Sequence, residues 1–514
     1  MFKYIEEISN KRIRKMRSQK KVIANIIVSS ATQLITLALG MILPRLILVS
    51  WGSEYNGLIN SVATIMRYLA LLEAGIGTST LQALYKSFGN QENDETSVVV
   101  ASAQYYYHRV AFVYGGAVIL VSFLFPLFLD TSIDYWTIFW VLLLQGCTGV
   151  INFAFRAAYQ QLLNAEGRYY VISLVSLLTT VLTYAAKIIS IIVFNSILIM
   201  QLLGVLIMGV QVVIYTMYFK KQYSWINTKA KVDMSLLENR KYYVVQQLSG
   251  LVFNSTDTLV LSIVCGLKVA SVYTVYNMVY SALSMVISIV RTSTNFVLGQ
   301  AYHRSKENFA LIYKLYSSFQ TSLGCILASC SVLLIDSFIL LYTRGITDAE
   351  YIVKFASFLF AMNIILDCIR GASLAGANIA GKAANTTWRY IAEAGINLAV
   401  SLSLVNSLGM NGVLLGTVIS GIWRSLDSIT YFYKKVLYER SASELSFTAV
   451  NVLMFCGAFT CSNRRQICAT SYLSFFVNAF FVFIAMSIAY GLVYILYNRK
   501  RLSNFRGYKR GKIT

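Results

Sequence analysis

Residues 251–302 read LVFNSTDTLVLSIVCGLKVASVYTVYNMVYSALSMVISIVRTSTNFVLGQAY, and this stretch decides the fold. It contains two apolar segments. The first carries the polar string from Asn254 to Thr258, which includes Asp257, and the second runs apolar from Val269 onward until it meets Arg291. Ionisable residues inside membrane helices are costly and usually face a bundle interior or a wet cavity. Asp257 and Arg291 are therefore candidate functional residues.

The composition of the whole chain indicates a polytopic helical membrane protein. Of the 514 residues, 57% are hydrophobic and only 13% are charged, which is about half the charged fraction of a soluble protein. Apolar runs long enough to span a bilayer recur from end to end. These runs are continuous and lack the alternation of a membrane β-barrel. We predict an all-α fold with about fourteen transmembrane helices.

The formal net charge of +22 is concentrated in the N-terminal tail through Lys21, the C-terminal tail from Arg499 and the central loop from Lys220 to Lys241. Basic residues next to membrane spans stay on the cytoplasmic side. We therefore predict that both termini are cytoplasmic. The tails are expected to contact anionic membrane lipids rather than nucleic acid. The histidines lie far apart and the cysteines lack metal-ligand spacing, so we predict neither a metal site nor a cofactor.

The chain is predicted to consist of two lobes and a C-terminal pair of spans. The segments are a basic cytoplasmic tail at 1–21, an N-lobe at 22–218, a cytoplasmic linker at 219–240, a C-lobe at 241–436, two further spans within 437–498 and a basic cytoplasmic tail at 499–514. The predicted spans are 22–49, 55–84, 104–130, 135–162, 170–194, 196–218, 241–265, 268–300, 309–341, 353–381, 387–407, 411–436, 446–461 and 473–497.

The two lobes match in sequence at a shift of 214 residues. Gly52 corresponds to Gly266, and the triplet Thr78-Ser79-Thr80 corresponds to Thr292-Ser293-Thr294. The shift places span two on span eight in the same direction, which predicts a parallel repeat about an axis along the membrane normal. We expect two six-helix lobes around a central cavity that contains the substrate path.

The predicted spans of the first half hold more cations than acids. Arg67 lies near the middle of span two and Lys187 lies deep in span five, whereas Arg45 and Arg156 lie closer to span ends. Glu73 is the one clear deep acid of this half. A cavity with these charges would attract an anion, because low-dielectric walls strengthen each charge. The forked donors of arginine further suit phosphate oxygens.

The predicted spans of the second half contain two pairs of opposite charge. Asp367 and Arg370 are three residues apart in span ten, and Arg424 and Asp427 are three residues apart in span twelve. Residues at this spacing share a helix face, so we interpret the four as structural ion pairs. Asp257 has three open interpretations, namely a proton or sodium coupling site, a counter-ion and a helix-packing group.

Arg291 differs from these pairs, because it has no acidic residue three or four positions away in its own helix. It either faces a cavity or pairs across helices with Asp257 or Glu73. We favour the cavity, because snorkelling to an interface is difficult from the middle of a span.

Three local sequences resemble those of the polysaccharide flippases, the Wzx-like branch of the multidrug/oligosaccharidyl-lipid/polysaccharide exporter superfamily. They are the turn from Gly52 to Gly57, the run from Glu73 to Ser79 and the string from Asn254 to Thr258. The resemblance extends over essentially the whole chain. It implies a V-shaped pair of lobes whose cavity opens alternately to the two sides of a bacterial cytoplasmic membrane.

The cargo implied by the resemblance is an undecaprenyl-pyrophosphate-linked oligosaccharide that moves from the cytoplasmic to the outer leaflet. By position, Arg45, Arg67 and Arg291 match cavity arginines of a related lipid II flippase. Spans thirteen and fourteen would form an outer groove for the polyprenyl tail. Arg464 and Arg465 oppose the topology of these two spans, because they fall in a loop placed outside. Other polysaccharide assembly proteins are further expected partners.

Other functional classes fit the sequence less well. A cation-coupled multidrug exporter of the same superfamily is expected to place acids in the first-half cavity, where this chain has cations. A membrane glycan polymerase or glycosyltransferase usually has a long outside loop or a soluble domain, and the predicted outside loops are short. A channel is disfavoured by the two-lobe repeat. We therefore expect a transporter rather than an enzyme.

Overall fold

The computed structural model of the chain describes residues 32–33, 35–36, 38–73, 76–90, 93–228, 230–237, 256–380, 382, 387–464 and 469–509. All regular structure within these residues is helical. The chain forms two compact units, Met1–Leu251 (unit 1) and Val252–Thr514 (unit 2). The N-terminal tail predicted at 1–21, the start of span seven and Arg465 lie outside the described residues.

The described residues of unit 1 form eight helices. They are α1 (Ala38–Trp51), α2 (Ser53–Leu69), α3 (Ile76–Asn90), α4 (Asn93–Leu124), α5 (Tyr135–Ile151), α6 (Ala157–Ala165), α7 (Tyr169–Ile189) and α8 (Ile197–Gln222). Short 3₁₀ turns follow α2 and α4, and π-helical turns follow α5 and α7. A π turn thus joins α5 directly to α6, so the two helices form one continuous span.

Unit 2 is also built from eight helices in its described part. They are α9 (256–264), α10 (Leu267–Arg304), α11 (Lys306–Tyr342), α12 (Lys354–Ile379), α13 (Thr387–Leu408), α14 (Met410–Phe432), α15 (Ala442–Arg464) and α16 (Tyr472–Lys509). The central helix is α11, which packs against α10, α12, α15 and α16 and is the most buried of the long apolar helices.

Ten helices in the described residues are long and apolar enough to cross a membrane. Two of the other predicted spans correspond to the shorter apolar helix α1 and to the broken helix α2–α3, and α14 matches span twelve. Most of α16 is exposed, as expected for a helix that faces lipid. The chain is therefore a multi-pass, all-helical membrane protein, and the predicted fold class is confirmed.

The backbone reproduces the sequence repeat at one turn. Gly52 and Gly266 both precede a helix, their φ angles are 85° and 86°, and their ψ angles are −177° and 165°. Residues with positive φ are mainly glycine and asparagine. Asn195 and Gly409 also differ by 214 in number and have positive φ angles, but their ψ angles of 42° and −130° differ. The turn at Gly52 therefore recurs at Gly266, at the predicted shift.

Helix ends follow the same register without insertions or deletions. Four helical segments of unit 1 end at residues whose counterparts, 214 positions later, end helical segments of unit 2. The pairs are Asn90 and Arg304, Phe128 and Tyr342, Ala165 and Ile379, and Phe194 and Leu408. Residues of unit 1 from Gly52 onward can therefore be assigned counterparts in unit 2 one by one.

Span two departs from this symmetry. The helix predicted as span two is interrupted in unit 1, where α2 ends at Leu69, a 3₁₀ turn runs from Ala70 to Glu73, and α3 begins at Ile76. Its counterpart α10 continues without interruption from Leu267 to Arg304. The interruption brings Glu73 into the middle of the span.

The described part of the predicted linker packs on unit 1. Tyr223 and Ile226 are buried in a cluster with residues of α3, α4, α6 and α7. The backbone N–H of Asn227 donates to Ser97 Oγ at 3.2 Å, and the backbone N–H of Asp233 donates to Ser102 Oγ at 2.8 Å. Thus residues 223–228 and 230–237 follow the surface of this unit, and the predicted domain limits at 219 and 240 stay a prediction.

Candidate functional site

Unit 2 contains a network of charged side chains that begins at Arg291 in α10. Its Nη2 donates to the Asp367 carboxylate at 2.8 Å and to the Asp367 backbone carbonyl at 3.1 Å. Arg370, one turn along α12, approaches the other oxygen of Asp367 at 3.3 Å. The backbone permits this arrangement because Gly371 has no Cβ, which would lie 2.3 Å from Arg291 Cζ.

Glu393 in α13 extends the network to α14. One carboxylate oxygen bonds to Arg370, and the other lies 3.5 Å from Arg424 Nε. Arg424 has no exposed surface and also lies 3.4 Å from Asp427, which in turn pairs with Arg389 at 2.6 Å. Four arginines and three acids are thus joined across α10, α12, α13 and α14.

The network contains both predicted ion pairs, Asp367 with Arg370 and Arg424 with Asp427. It also corrects one expectation, because the partner of Arg291 is Asp367 rather than Asp257 or Glu73. Sequence reasoning missed Glu393, which closes the network. A signal was present, because Glu393 is an acid inside the predicted span 387–407, where ionisable residues are rare and functional candidates.

Asp257 lies apart from this network in α9. Its carboxylate accepts hydrogen bonds from Tyr273 at 3.1 Å and from Thr417 Oγ1 at 3.2 Å, and Asn397 donates to the same Thr417 oxygen at 2.9 Å. Among the described residues, no lysine or arginine pairs with it. A buried carboxylate held by neutral groups can take up a proton or a small cation.

In unit 1, the candidate residues from the sequence analysis do not lie together. Glu73 accepts a hydrogen bond from Tyr107 at 2.9 Å, beside the interruption between α2 and α3. Arg67 lies in the last turn of α2, where its exposed side chain donates to Thr64 Oγ1 at 3.2 Å. Arg45 lies in α1 and is half-buried. Lys187 lies elsewhere, in a cavity that neither of these arginines lines.

This cavity has a volume of about 310 Å³ and lies between α5, α7 and α8. In the part of the chain that the structure describes, its charged lining residues are Arg156 and Lys187. Nine uncharged polar residues line it, and so do glycine, isoleucine and methionine residues of α8. The polar set is Gln145, Thr148, Ser176, Thr179, Thr180, Thr183, Tyr184, Gln201 and Gln211. The cavity is therefore a polar, positively charged space inside an apolar helix bundle.

The two cations of the cavity are held differently. Arg156 donates from Nε to Asn152 Oδ1 at 2.7 Å and from Nη1 to Gln211, whose amide donates onward to Thr179 Oγ1 at 3.0 Å. Lys187 has no hydrogen bond or ion pair with a residue in the described ranges. One cation is thus fixed by neutral partners, and the other is available to a ligand.

Both cations lie beside π-helical turns. Arg156 ends the π turn Asn152–Arg156, and Lys187 lies three residues before the π turn Ser190–Phe194. Such turns are rare and are frequent at functional sites. The sequence favoured no cavity role for Arg156 because it lies near a span end, whereas the structure places it in the cavity with Lys187.

The fold is shared with solved transporters. An inward-facing multidrug resistance MATE family transporter of the MOP superfamily is 16% identical to this chain. The match covers 80% of this chain and 98% of the transporter chain, with a TM-score of 0.66. The lipid II flippase MurJ in an inward closed conformation is 12% identical. The match covers 93% of this chain and 100% of the flippase chain, with a TM-score of 0.67. These similarities establish the fold.

A third similar structure is a MOP superfamily transporter from Pyrococcus furiosus, described as having a binding pocket of reverse polarity. It is 16% identical and covers 80% of this chain and 95% of its own, with a TM-score of 0.52. No protein-family model matches the chain, and no curated protein matches it in sequence.

Proposed function

We propose that the chain is a flippase that moves a polyprenyl-diphosphate-linked oligosaccharide from the cytoplasmic to the outer leaflet by alternating access. In this proposal, the protein lies in a bacterial cytoplasmic membrane, both termini are cytoplasmic, and the basic tails contact anionic lipids. Other polysaccharide assembly proteins would supply or receive the cargo. The protein performs no covalent chemistry in this proposal and requires no cofactor.

The observation that carries the proposal is the sign of the charge inside unit 1. Among the described residues, the cavity between α5, α7 and α8 is lined by Arg156 and Lys187 and by no acidic side chain. Charges in a low-dielectric site act strongly on a ligand because water does not screen them. An anionic, hydroxyl-rich cargo matches such a lining, whereas a cationic drug does not.

We assign the binding of the cargo's diphosphate to Arg45, Arg67 and Arg291. Arg67 has an exposed side chain, and Arg291 retains 25% exposure while one of its nitrogens binds Asp367. Guanidinium groups bind phosphate oxygens through two parallel donors. The cavity expected between the two lobes, where these groups would act together, stays a prediction.

Asp257 is proposed to couple transport to an ion gradient. Its carboxylate is 5% exposed and has only hydroxyl partners in the described part of the chain. Exchange of a proton or sodium ion at such a group changes the charge buried between α9, α10 and α14. Replacement by asparagine is expected to abolish the dependence of transport on the gradient.

The second candidate is an exporter of small molecules, which is favoured by the similarity to MATE family structures. This candidate predicts that cells with the protein exclude a cationic dye faster than cells without it. The cationic lining in unit 1 argues against this result, because like charges repel in a low-dielectric site.

The proposed function is tested with the full-length protein in liposomes that contain a fluorescent polyprenyl-diphosphate-linked glycan. We expect the protein to move the label to the opposite leaflet. Arg67→Ala and Arg291→Ala should each lower the initial rate about tenfold or more, because a charge-assisted hydrogen bond to phosphate contributes about 1.5–3 kcal/mol.

Arg109→Ala is a matched control, because Arg109 is an exposed residue of α4 whose guanidinium contacts Tyr105. This variant should transport at the wild-type rate. Unchanged transport in both the Arg67 and Arg291 variants, with normal insertion, would remove the phosphate role of these arginines. Absence of any label movement by the wild-type protein would remove the flippase proposal itself.

A further inference from the structure

The repeat gives the cation Arg156 a counterpart in unit 2. At the shift of 214 residues, Arg156 corresponds to Arg370, and both lie in the fourth span of their six-span repeat. This correspondence allows the surroundings of one arginine to be compared with those of the other, position by position.

Arg370 is neutralised within unit 2, whereas Arg156 is not neutralised within unit 1. Arg370 pairs with Asp367 and Glu393. The counterparts of these two acids are Phe153 and Thr179. The apolar ring and the hydroxyl cannot supply a negative charge, so Arg156 binds the neutral oxygens of Asn152 and Gln211 instead.

Unit 1 also contains a second cation, but at a position that the repeat does not pair with Arg424. In unit 2, Glu393 lies between Arg370 and Arg424. The counterpart of Arg424 is Val210, whereas Lys187 corresponds to Ser401. The cavity is lined by Arg156, by Lys187 and by Thr179, the counterpart of Glu393, and the neutral Gln211 amide bonds to both Arg156 and Thr179. Within the described residues, unit 1 thus places two cations on one cavity without the carboxylate that unit 2 has.

We propose that the unit 1 cavity binds a carboxylate-bearing ligand of the size of one sugar ring, whose carboxylate supplies the negative charge that Glu393 supplies in unit 2. The anion would contact Arg156 and Lys187. Hydrogen bonds between carboxylates and charged donors are about twice as strong as neutral ones, so the missing acid creates a strong preference for an anion.

The rest of the lining specifies the remainder of the ligand. Glutamine, threonine and serine side chains surround the cations and can exchange hydrogen bonds with several hydroxyl groups. Ile207 and Met208 add an apolar patch that suits the C–H face of a ring. The volume of about 310 Å³ equals that of roughly ten waters at about 30 Å³ each. These features together match a sugar acid better than a bare inorganic ion.

The binding site goes beyond the proposed function, because binding can be tested without transport. Two sources share the required chemistry. One is an acidic sugar within the lipid-linked glycan, and this source rests on the proposed function. The other is a free sugar acid, which does not.

The first experiment measures binding to the full-length protein in nanodiscs by calorimetry. The probes are D-glucuronate, D-glucose and inorganic phosphate. We expect D-glucuronate to bind, D-glucose to bind at least about tenfold more weakly because it lacks the charge, and phosphate to bind more weakly because it lacks the ring.

Thr179→Glu is the decisive variant, because it restores the acid that unit 2 has at the equivalent position. The new carboxylate should pair with Arg156 and lower the affinity for D-glucuronate about tenfold or more. Thr179→Gln adds similar bulk without charge and should lower the affinity less. Lys220→Gln, at the exposed end of α8, should leave the affinity unchanged.

Lys187→Met provides a second test that does not depend on the folding of the Thr179→Glu variant. It should also weaken D-glucuronate binding about tenfold or more. The assignment is overturned if D-glucose or phosphate binds as tightly as D-glucuronate. It is also overturned if no probe binds to folded wild-type protein, or if both the Thr179→Glu and Lys187→Met variants bind normally.

A transport experiment separates the two sources. Liposomes receive lipid-linked glycans that differ only in a terminal glucuronate or glucose. Faster transport of the acidic glycan, lost in the Thr179→Glu variant, supports a glycan that enters the cavity. Equal transport of both glycans, with D-glucuronate binding intact, supports a free sugar acid. Loss of all transport with binding intact contradicts the flippase proposal and leaves the binding site standing.

Discussion

Glu393 is a buried anion that lies between Arg370 and Arg424. It is 4% exposed, it bonds to Arg370, and it lies 3.5 Å from Arg424, which has no exposed surface. Removing one partner of a buried ion pair leaves an uncompensated charge, which costs more than the pair itself contributes. The stability of unit 2 should therefore be sensitive to this single carboxylate.

Glu393→Gln is expected to lower the free energy of unfolding by about 3–5 kcal/mol, since it leaves positive charge buried without its counter-ion. Thermal unfolding of the purified protein in detergent, followed by the fluorescence of a thiol-reactive dye or by light scattering, measures the change.

Glu439→Gln is the matched comparison for this experiment. Glu439 pairs with Lys314, but its side chain is 42% exposed. Exposed pairs contribute about 0–1 kcal/mol, so this variant should melt close to the wild type. If both variants melted alike, the buried network would have no special part in the stability of unit 2.

Charged residues were easier to find in the sequence than their partners. Asp367 and Arg370 could be paired because a spacing of three residues places them on one helix face. The contact of Arg291 with Asp367 joins α10 to α12, and no local spacing encodes a contact between two helices. The cavity role of Arg156 was missed for a related reason, because position along a span gives depth but not direction.

The close packing of α13 and α14 depends on two glycines. A Cβ on Gly412 would lie 2.5 Å from the Leu404 carbonyl oxygen, and one on Gly416 would lie 2.8 Å from Asn397 O and from Ser401 N. Small residues four apart let helix backbones approach closely in membranes. The contact also positions Thr417, which bonds to Asp257.

Gly416→Ala should separate α13 from α14, because the added methyl group meets backbone atoms that cannot rotate away. We expect a loss of about 1–3 kcal/mol of stability, the usual cost of overpacking. Thermal unfolding in detergent measures it.

Gly395→Ala in α13 is the control, since a Cβ at Gly395 has no neighbour within 4 Å. Alanine favours a helix over glycine by about 0.5–1 kcal/mol, so the control should be neutral or slightly stabilising. A Gly416→Ala protein as stable as this control would show that the helices can separate without cost.

Whole spans could be predicted from the sequence because length and apolarity alone define them. The interruption of span two could not be predicted as a break, although the residues around Glu73 were singled out. Hydropathy averages over many residues, whereas the 3₁₀ turn from Ala70 to Glu73 occupies a single turn of helix. The π turns next to Arg156 and Lys187 were missed for the same reason.

At the scale of the molecule, the two units repeat one chain path, and the repeat predicts equal behaviour at equivalent turns. Gly52 and Gly266 have nearly the same φ and ψ, in a region that is essentially restricted to glycine. Gly52→Ala and Gly266→Ala should therefore each lower stability by about 1–3 kcal/mol, as measured by thermal unfolding.

Gly209→Ala serves as the comparison for both variants, because Gly209 lies inside α8 with no atom within 4 Å of the added Cβ. It should not destabilise the protein. A large cost at only one of the two turns would show that the units do not use equivalent backbone there.

The shift of 214 residues was visible in the sequence from few identities, chiefly Gly52 with Gly266 and the Thr-Ser-Thr triplets. Its full extent was not visible, because most equivalent positions hold different residues. Phe153 and Asp367 illustrate the difficulty, since their side chains share no property that an alignment would score. Backbone geometry preserves the correspondence where side chains have diverged.

The π turn at Asn152–Arg156 has a consequence for changes in chain length. Its counterpart in unit 2 lies within the regular helix α12. A π turn accommodates one more residue than an α turn, so deleting a single residue there would convert it to regular helix. Because the π turn takes up the additional residue within one turn, the two flanks of the shortened helix would keep nearly the same orientation relative to each other. A shortening that removes no charged group could thus change the backbone beside the Arg156 guanidinium and its contact with Gln211, while the rest of the span stays in place.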